Sequence, residues 1–159
     1  MFAPKPFDVA KELVRVTKPG GKIVMGNWIP NDPTSFVSQL LRISSHYTPP
    51  PPEGFISPMT WGVNANVIER FTAAGIPPEN ITMEKDTFHF QSQAHSPEQF
   101  IDLFTRFYGP TMNAVDAAEK NGKKAELLAE LLDLAKAENQ GTNGATSIPA
   151  TFLRVTVLR

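Results

Sequence analysis

The sequence predicts an α/β fold: a sheet of about three strands, mixed in direction, with several helices packed on it. Three observations carry this expectation. A helical stripe leads through a glycine-rich turn into an apolar strand within the first thirty or so residues, a period-two segment lies in mid-chain, and a second β-rich run closes the sequence, with helical stripes in the intervals.

Phe7 to Val16 sets Phe7, Val9, Ala10, Leu13, Val14 and Val16 between Lys11, Glu12 and Arg15, the spacing of one buried helix face. Pro6 suits the first turn. Pro19 restricts the residue before it, and Gly20-Gly21 supplies the backbone freedom of a tight turn, so the helix ends by Lys18. Lys22 to Ile29 follows as a nearly continuous apolar run, the pattern of a strand buried on both faces of a mainly parallel sheet.

Asp32 or Thr34 is placed to cap a second helix, whose stripe of Phe36, Val37, Leu40, Leu41 and Ile43 runs up to Tyr47. Pro49 to Pro52 then exclude regular hydrogen bonding and make a stiff extended connector. No charged anchor or repeat surrounds these prolines, which favours a spacer over a ligand for a proline-reading domain. Trp61-Gly62-Val63 opens a third helix carrying Val67, Ile68, Phe71, Ala74 and Ile76, with Gly75 as its cap.

Ile81 to Gln91 alternates Ile81, Met83, Phe88 and Phe90 with Thr82, Glu84, His89 and Gln91, a half-buried strand. Ser96-Pro97-Glu98-Gln99 combines a cap residue, a first-position proline and a polar first turn. The helix it starts carries Phe100, Ile101, Leu103, Phe104, Phe107 and Tyr108, and Gly109-Pro110 stops it. Helices over Thr111 to Lys120 and Lys123 to Gln140 follow, then a loop at 141–144 and a final strand from Phe152 to Leu158.

Composition excludes several function classes. A net charge of −1, with fifteen Lys and Arg scattered among 159 residues, provides no basic field for nucleic acid. No apolar run reaches the roughly eighteen residues of a membrane span, and the start has no secretory leader pattern, so a soluble, cytoplasmic protein without a membrane partner is expected. With no cysteine there is no disulfide, thiolate nucleophile or thiolate metal site. His46, His89 and His95 show no metal-ligand spacing, and no nucleophile elbow, Walker loop or dinucleotide fingerprint occurs.

The aromatic residues say more. Trp28 ends a strand and Trp61 begins a helix, and ligands in open α/β sheets bind at strand ends. His46 and Tyr47 close the second helix beside the prolines, and Phe104 and Tyr108 lie along one helix. Trp28, His46, Tyr47, Trp61, Phe104 and Tyr108 are the candidate lining of an apolar substrate pocket. Helical spacing favours plain core packing for the phenylalanines, whereas for the two tryptophans both readings stand open.

The run Ala10-Lys11-Glu12-Leu13-Val14-Arg15-Val16-Thr17-Lys18-Pro19-Gly20-Gly21-Lys22-Ile23-Val24-Met25-Gly26-Asn27-Trp28 resembles the helix, Pro-Gly-Gly turn and fifth strand of class I S-adenosylmethionine-dependent methyltransferases, of the type 11 and type 25 kind. Met1-Phe2-Ala3-Pro4 resembles the end of the fourth strand and the loop after it, and Phe152 to Leu158 resembles the antiparallel seventh strand. The resemblance runs along the whole chain and implies a partial Rossmann-like methyltransferase sheet in one domain, 1–159. The family's glycine-rich cofactor loop and the acid closing its second strand have no counterpart in the sequence, so this domain lacks the N-terminal cofactor-binding half, whether as a truncated product or a dissected half.

The implied activity is methyl transfer from S-adenosylmethionine to a small apolar acceptor, once a partner or the missing half completes the site. Met1 and Phe2 are the residues matched to the cofactor's methionine part. The isolated chain is expected to be inactive. Without preceding strands, the 22–29 strand becomes an apolar edge, which predicts a homodimer or a complementary chain paired there. Two alternatives remain: a non-catalytic module binding a small ligand or protein, and an accessory subunit that completes another chain's sheet.

Overall fold

A computed structural model of the chain describes residues 3–159; Met1 and Phe2, matched above to a cofactor contact, lie outside the described residues. In chain order the elements are α1 (Pro6–Val16), β1 (Lys22–Trp28), α2 (Phe36–Tyr47), a 3-10 turn at Pro58–Gly62, α3 (Asn64–Ala73), a 3-10 turn at Pro78–Asn80, β2 (Ile81–Ser92), α4 (Pro97–Phe107), α5 (Gly109–Lys120), α6 (Lys124–Glu138) and β3 (Thr146–Leu158). The fold is α/β, as the sequence predicts. Two compact units divide it: one holds the chain up to Pro30 with Pro52–Asp86 and Thr151–Arg159, the other Asn31–Pro51 with Thr87–Ala150.

In the first unit the strands take the order β1-β3-β2, and the sheet is antiparallel. Lys22 pairs with Leu158 at one end of the β1–β3 ladder and Trp28 with Phe152 at the other. The expected mixed sheet is therefore corrected. β1 and β2 point the same way but are not neighbours, because the last strand fills the place between them. Gly20 takes φ +76 in the turn after α1 and donates its N–H to Arg159 O at 2.7 Å, while Arg159 N donates to Gly21 O at 3.0 Å. The end of the chain thus locks onto the Pro-Gly-Gly turn.

Helices α1 and α3 supply Ala10, Val67 and Phe71 to a core that includes Ile23 of β1 and Leu153, Val155 and Val157 of β3. Only one phase of β1 is buried: Ile23 and Asn27 face inward, whereas Lys22, Gly26 and Val24, the last 63% exposed, do not. The expectation of a strand covered on both faces is corrected accordingly. β1 is also an edge of this sheet.

The second unit packs α2, α4, α5 and α6 against one another, with Phe36, Val37, Leu40, Ile101, Leu127, Leu131 and Ile148 fully or almost fully buried. Ser96 accepts from Gln99 N and Gln99 Oε1 accepts from Ser96 N at 2.9 Å, a reciprocal capping box at the start of α4. Gly109-Pro110 does end α4, but it also begins α5, where a missing N–H costs nothing in a first turn. β3 starts six residues earlier than the sequence pattern indicates, at Thr146.

Candidate functional site

In the second unit an aromatic cluster gathers on Phe36, which is fully buried at the start of α2. Its ring centroid lies 6.3 Å from Phe90, 5.6 Å from Phe100 and 5.7 Å from Phe104. Phe104 and Tyr108, four residues apart on successive turns, meet edge to face at 5.3 Å. These two predicted site residues are brought together. Burial pushes the Tyr108 phenol to a higher pKa, so its hydroxyl stays a neutral hydrogen-bonding group. Phe107, by contrast, is 74% exposed and lies off the cluster.

His46 and Tyr47 are consecutive on α2, about 100° apart around the helix, and so take different environments. His46 is exposed. Tyr47 is buried and donates its hydroxyl to Glu130 Oε1 of α6 at 2.6 Å. That hydrogen bond, followed by burial and the charges of Glu126 and Glu130, holds its phenol well above the usual tyrosine range. A buried tie between helices describes Tyr47, and a reacting group at its hydroxyl would have to displace Glu130.

The same unit holds a cavity of about 320 Å³ lined by Asn31, Asp32, Pro33, Ser38, Gln39 and Arg42. Asp32 Oδ1 accepts from Thr34 N at 2.8 Å and from Thr34 Oγ1 at 2.6 Å, which makes Asp32 the brace of the turn entering α2. Gln39 Nε2 donates to Pro33 O at 2.9 Å and to Glu138 Oε1 at 3.0 Å. Five of the six lining residues carry polar side chains, but most of the wall they expose is apolar.

In the first unit Trp28 and Trp61 occupy unlike settings. Trp28 is half-buried on the sheet, edge to face with its register partner Phe152 at 6.2 Å. Trp61 is fully enclosed in the core, edge to face with Phe71 at 6.1 Å, and the Arg70 guanidinium stacks on its ring at 4.5 Å. Gly62, next to Trp61, lets the turn run directly against β1 at Trp28 and Ile29. Asn27, on the inward phase of β1 and almost fully buried, has no hydrogen-bond partner at either side-chain atom.

Sequence reasoning missed Arg70, Asn27, Phe36, Phe90 and the Asn31–Arg42 cavity as site residues. Two of them left a trace in the pattern. Arg70 falls on the Val67, Phe71, Ala74 stripe, and Asn27 continues the Ile23, Met25 phase, so each is a polar residue at an apolar position.

Among curated proteins, an uncharacterized protein of Mycobacterium tuberculosis is 32% identical over 139 residues, which cover 86% of this chain and 47% of that protein. A second uncharacterized M. tuberculosis protein is 30% identical over 142 residues, 83% of this chain and 48% of the relative. The chain spans about half the length of the curated relatives it matches. Proteins of Mycobacterium bovis match equally well. No protein-family model matches the chain.

The described residues do not fit a nucleoside-bearing cofactor such as S-adenosylmethionine. A cofactor loop of that kind needs glycines between a strand and a following helix. The left-handed residue between β1 and α2 is Asn31, with φ +57, and Gly20, Gly75 and Gly122 with their positive φ values follow helices instead. No group of three metal-binding side chains occurs among the described residues. None of their helices is long and apolar enough to cross a membrane.

Proposed function

We propose that this chain is the acceptor-side portion of a methyltransferase-like cytoplasmic protein, whose donor-holding residues come from outside it. The observation that supports the reading is the placement of β3: the last strand runs antiparallel to β1, lies between β1 and β2, and is tied back to the Pro-Gly-Gly turn. The antiparallel direction of the last strand is what its resemblance to a methyltransferase's seventh strand implies. The length of the relatives, about twice the matched segment, is consistent with a further half. In this reading the half-buried rings of Phe90, Phe104 and Tyr108, backed by the buried Phe36, offer apolar, planar surface to a small apolar acceptor and exclude water from it. No step through the cofactor is assigned to these residues.

The β1 edge supplies the joining surface. Its exposed Val24 and unbulged pairing leave backbone groups able to pair with a second copy or with the complementary portion. Calorimetric titration with S-adenosylmethionine tests the reading: a full-length mycobacterial relative should bind and this chain alone should not. Silence from the full-length protein would overturn it. Sedimentation tests the edge, and a stable monomer at micromolar concentration would count against self-pairing.

A further inference from the structure

We propose that Arg70 is the anchor of a binding site for a small monocarboxylate, independent of the methyl-transfer reading. Arg70 is only 4% exposed, yet it has no acidic partner within ion-pair distance among the described residues. Its Nη2 donates to Thr60 Oγ1 at 2.7 Å, and its Nη1 is buried with no acceptor. Glu69, its neighbour on α3, is exposed and acts on it only through space.

An isolated buried cation is among the costliest groups a fold can hold, and a chain retains one where a counter-charge joins it in the working state. The geometry says what that counter-charge is. The contact with the Trp61 ring at 4.5 Å and the Thr60 hydrogen bond hold the guanidinium from two sides, so the Nη1 side is held in place without a hydrogen-bond acceptor. A planar fork with fixed N–H directions matches the two oxygens of a carboxylate. One charge is on offer: the Ser57–Val63 stretch contains no Lys or Arg, and Arg70 is the single cation of α3, which favours a monoanion over a phosphate. Thr60 is tied to α3 by two hydrogen bonds, the one from Arg70 and one from Asn66 Nδ2 to Thr60 O at 3.2 Å, so the Thr60 side of the guanidinium stays anchored to the same helix.

The stacked indole is a built-in reporter. In a Trp28→Phe background Trp61 is the only tryptophan, and its fluorescence is titrated with sodium acetate against sodium chloride at constant ionic strength. Acetate should give a saturable emission change and, at ten times its midpoint, raise the melting temperature by about 3–5 °C. Arg70→Met should abolish both responses. Arg70→Lys, which keeps the charge but loses the fork, should weaken the midpoint about tenfold. An acetate response no larger than that of chloride overturns the proposal, as does one undiminished in Arg70→Met. If Arg70→Met does not fold, an unchanged midpoint in Arg70→Lys overturns it instead.

Discussion

The α-carbon of Gly62 sits against the carbonyl of Trp28 so closely that a Cβ at residue 62 would lie 2.0 Å from the Trp28 oxygen. Two backbones, the Pro58–Gly62 turn and the end of β1, touch there with no room for a side chain. Gly62→Ala must push them apart, and the expected loss is about 3 kcal/mol in urea unfolding. Gly109→Ala is the control. Nothing lies within 4 Å of its added methyl, so its stability should stay within about 1 kcal/mol of the parent. Equal effects at the two positions would show that the close approach is not what residue 62 provides.

Asn27 tests whether a buried amide is a liability or a contact. It is 2% exposed and neither Nδ2 nor Oδ1 has a partner. Asn27→Leu, of similar shape, removes the desolvation penalty and should leave stability unchanged or raise it by about 1 kcal/mol in denaturant titration. A loss of that size would mean that the amide is engaged by a bound molecule or by another chain.

Tyr47→Phe deletes the hydroxyl that donates to Glu130 at 2.6 Å, and the melting temperature should fall. The pH dependence separates this bond from simple packing. Because the folded-state pKa of Tyr47 is raised above its unfolded value near 10, its contribution is complete below pH 10 and is lost as pH climbs above it. Melts between pH 8 and 11 should therefore show the parent losing stability more steeply than Tyr47→Phe at the alkaline end. Parallel slopes would contradict the assignment.

Ser96→Ala removes half of the capping box on α4, where Ser96 and Gln99 satisfy one another's backbone N–H groups. The expected cost is about 1 kcal/mol, or a fall of about 2–4 °C in the melting temperature by circular dichroism. Gln99→Ala should cost less, because it leaves the Ser96 oxygen in place. A larger loss from Gln99→Ala would assign that residue some role besides capping.

Features set within a few residues were legible in the sequence. The ends of α1 at Pro6 and Val16 and the Ser96 cap follow from proline, glycine and hydroxyl chemistry at neighbouring positions, and the span Phe36–Tyr47 follows from its apolar stripe, although its N-cap is Ser35, without a side-chain cap bond, rather than Asp32 or Thr34. Gly75, with φ +91 just after α3, is the same kind of signal. Thr146 to Thr151 do not read as strand in the sequence because Pro149 and the small polar Thr146, Ser147 and Thr151 weaken the local pattern. The alternation itself also breaks there: Thr146, Ile148 and Ala150 are buried, then Thr151, Leu153, Val155 and Val157. The buried phase changes between Ala150 and Thr151, where one compact unit gives way to the other. β2 does the same, with its apolar residues moving from Ile81 and Met83 to Phe88 and Phe90 across the Asp86–Thr87 boundary.

By itself, then, the amino-acid order determined the α/β class, the helix ends and the Pro-Gly-Gly turn, because backbone propensity and capping act over three or four residues. Which strands became neighbours, which face of β1 was left bare, and that Arg70 was buried without a counter-charge were decided by tertiary structure alone. Those outcomes depend on residues far apart in sequence meeting across a core, as Thr60 and Trp61 do with Arg70 and Gly20 does with Arg159, and no local pattern encodes the meeting.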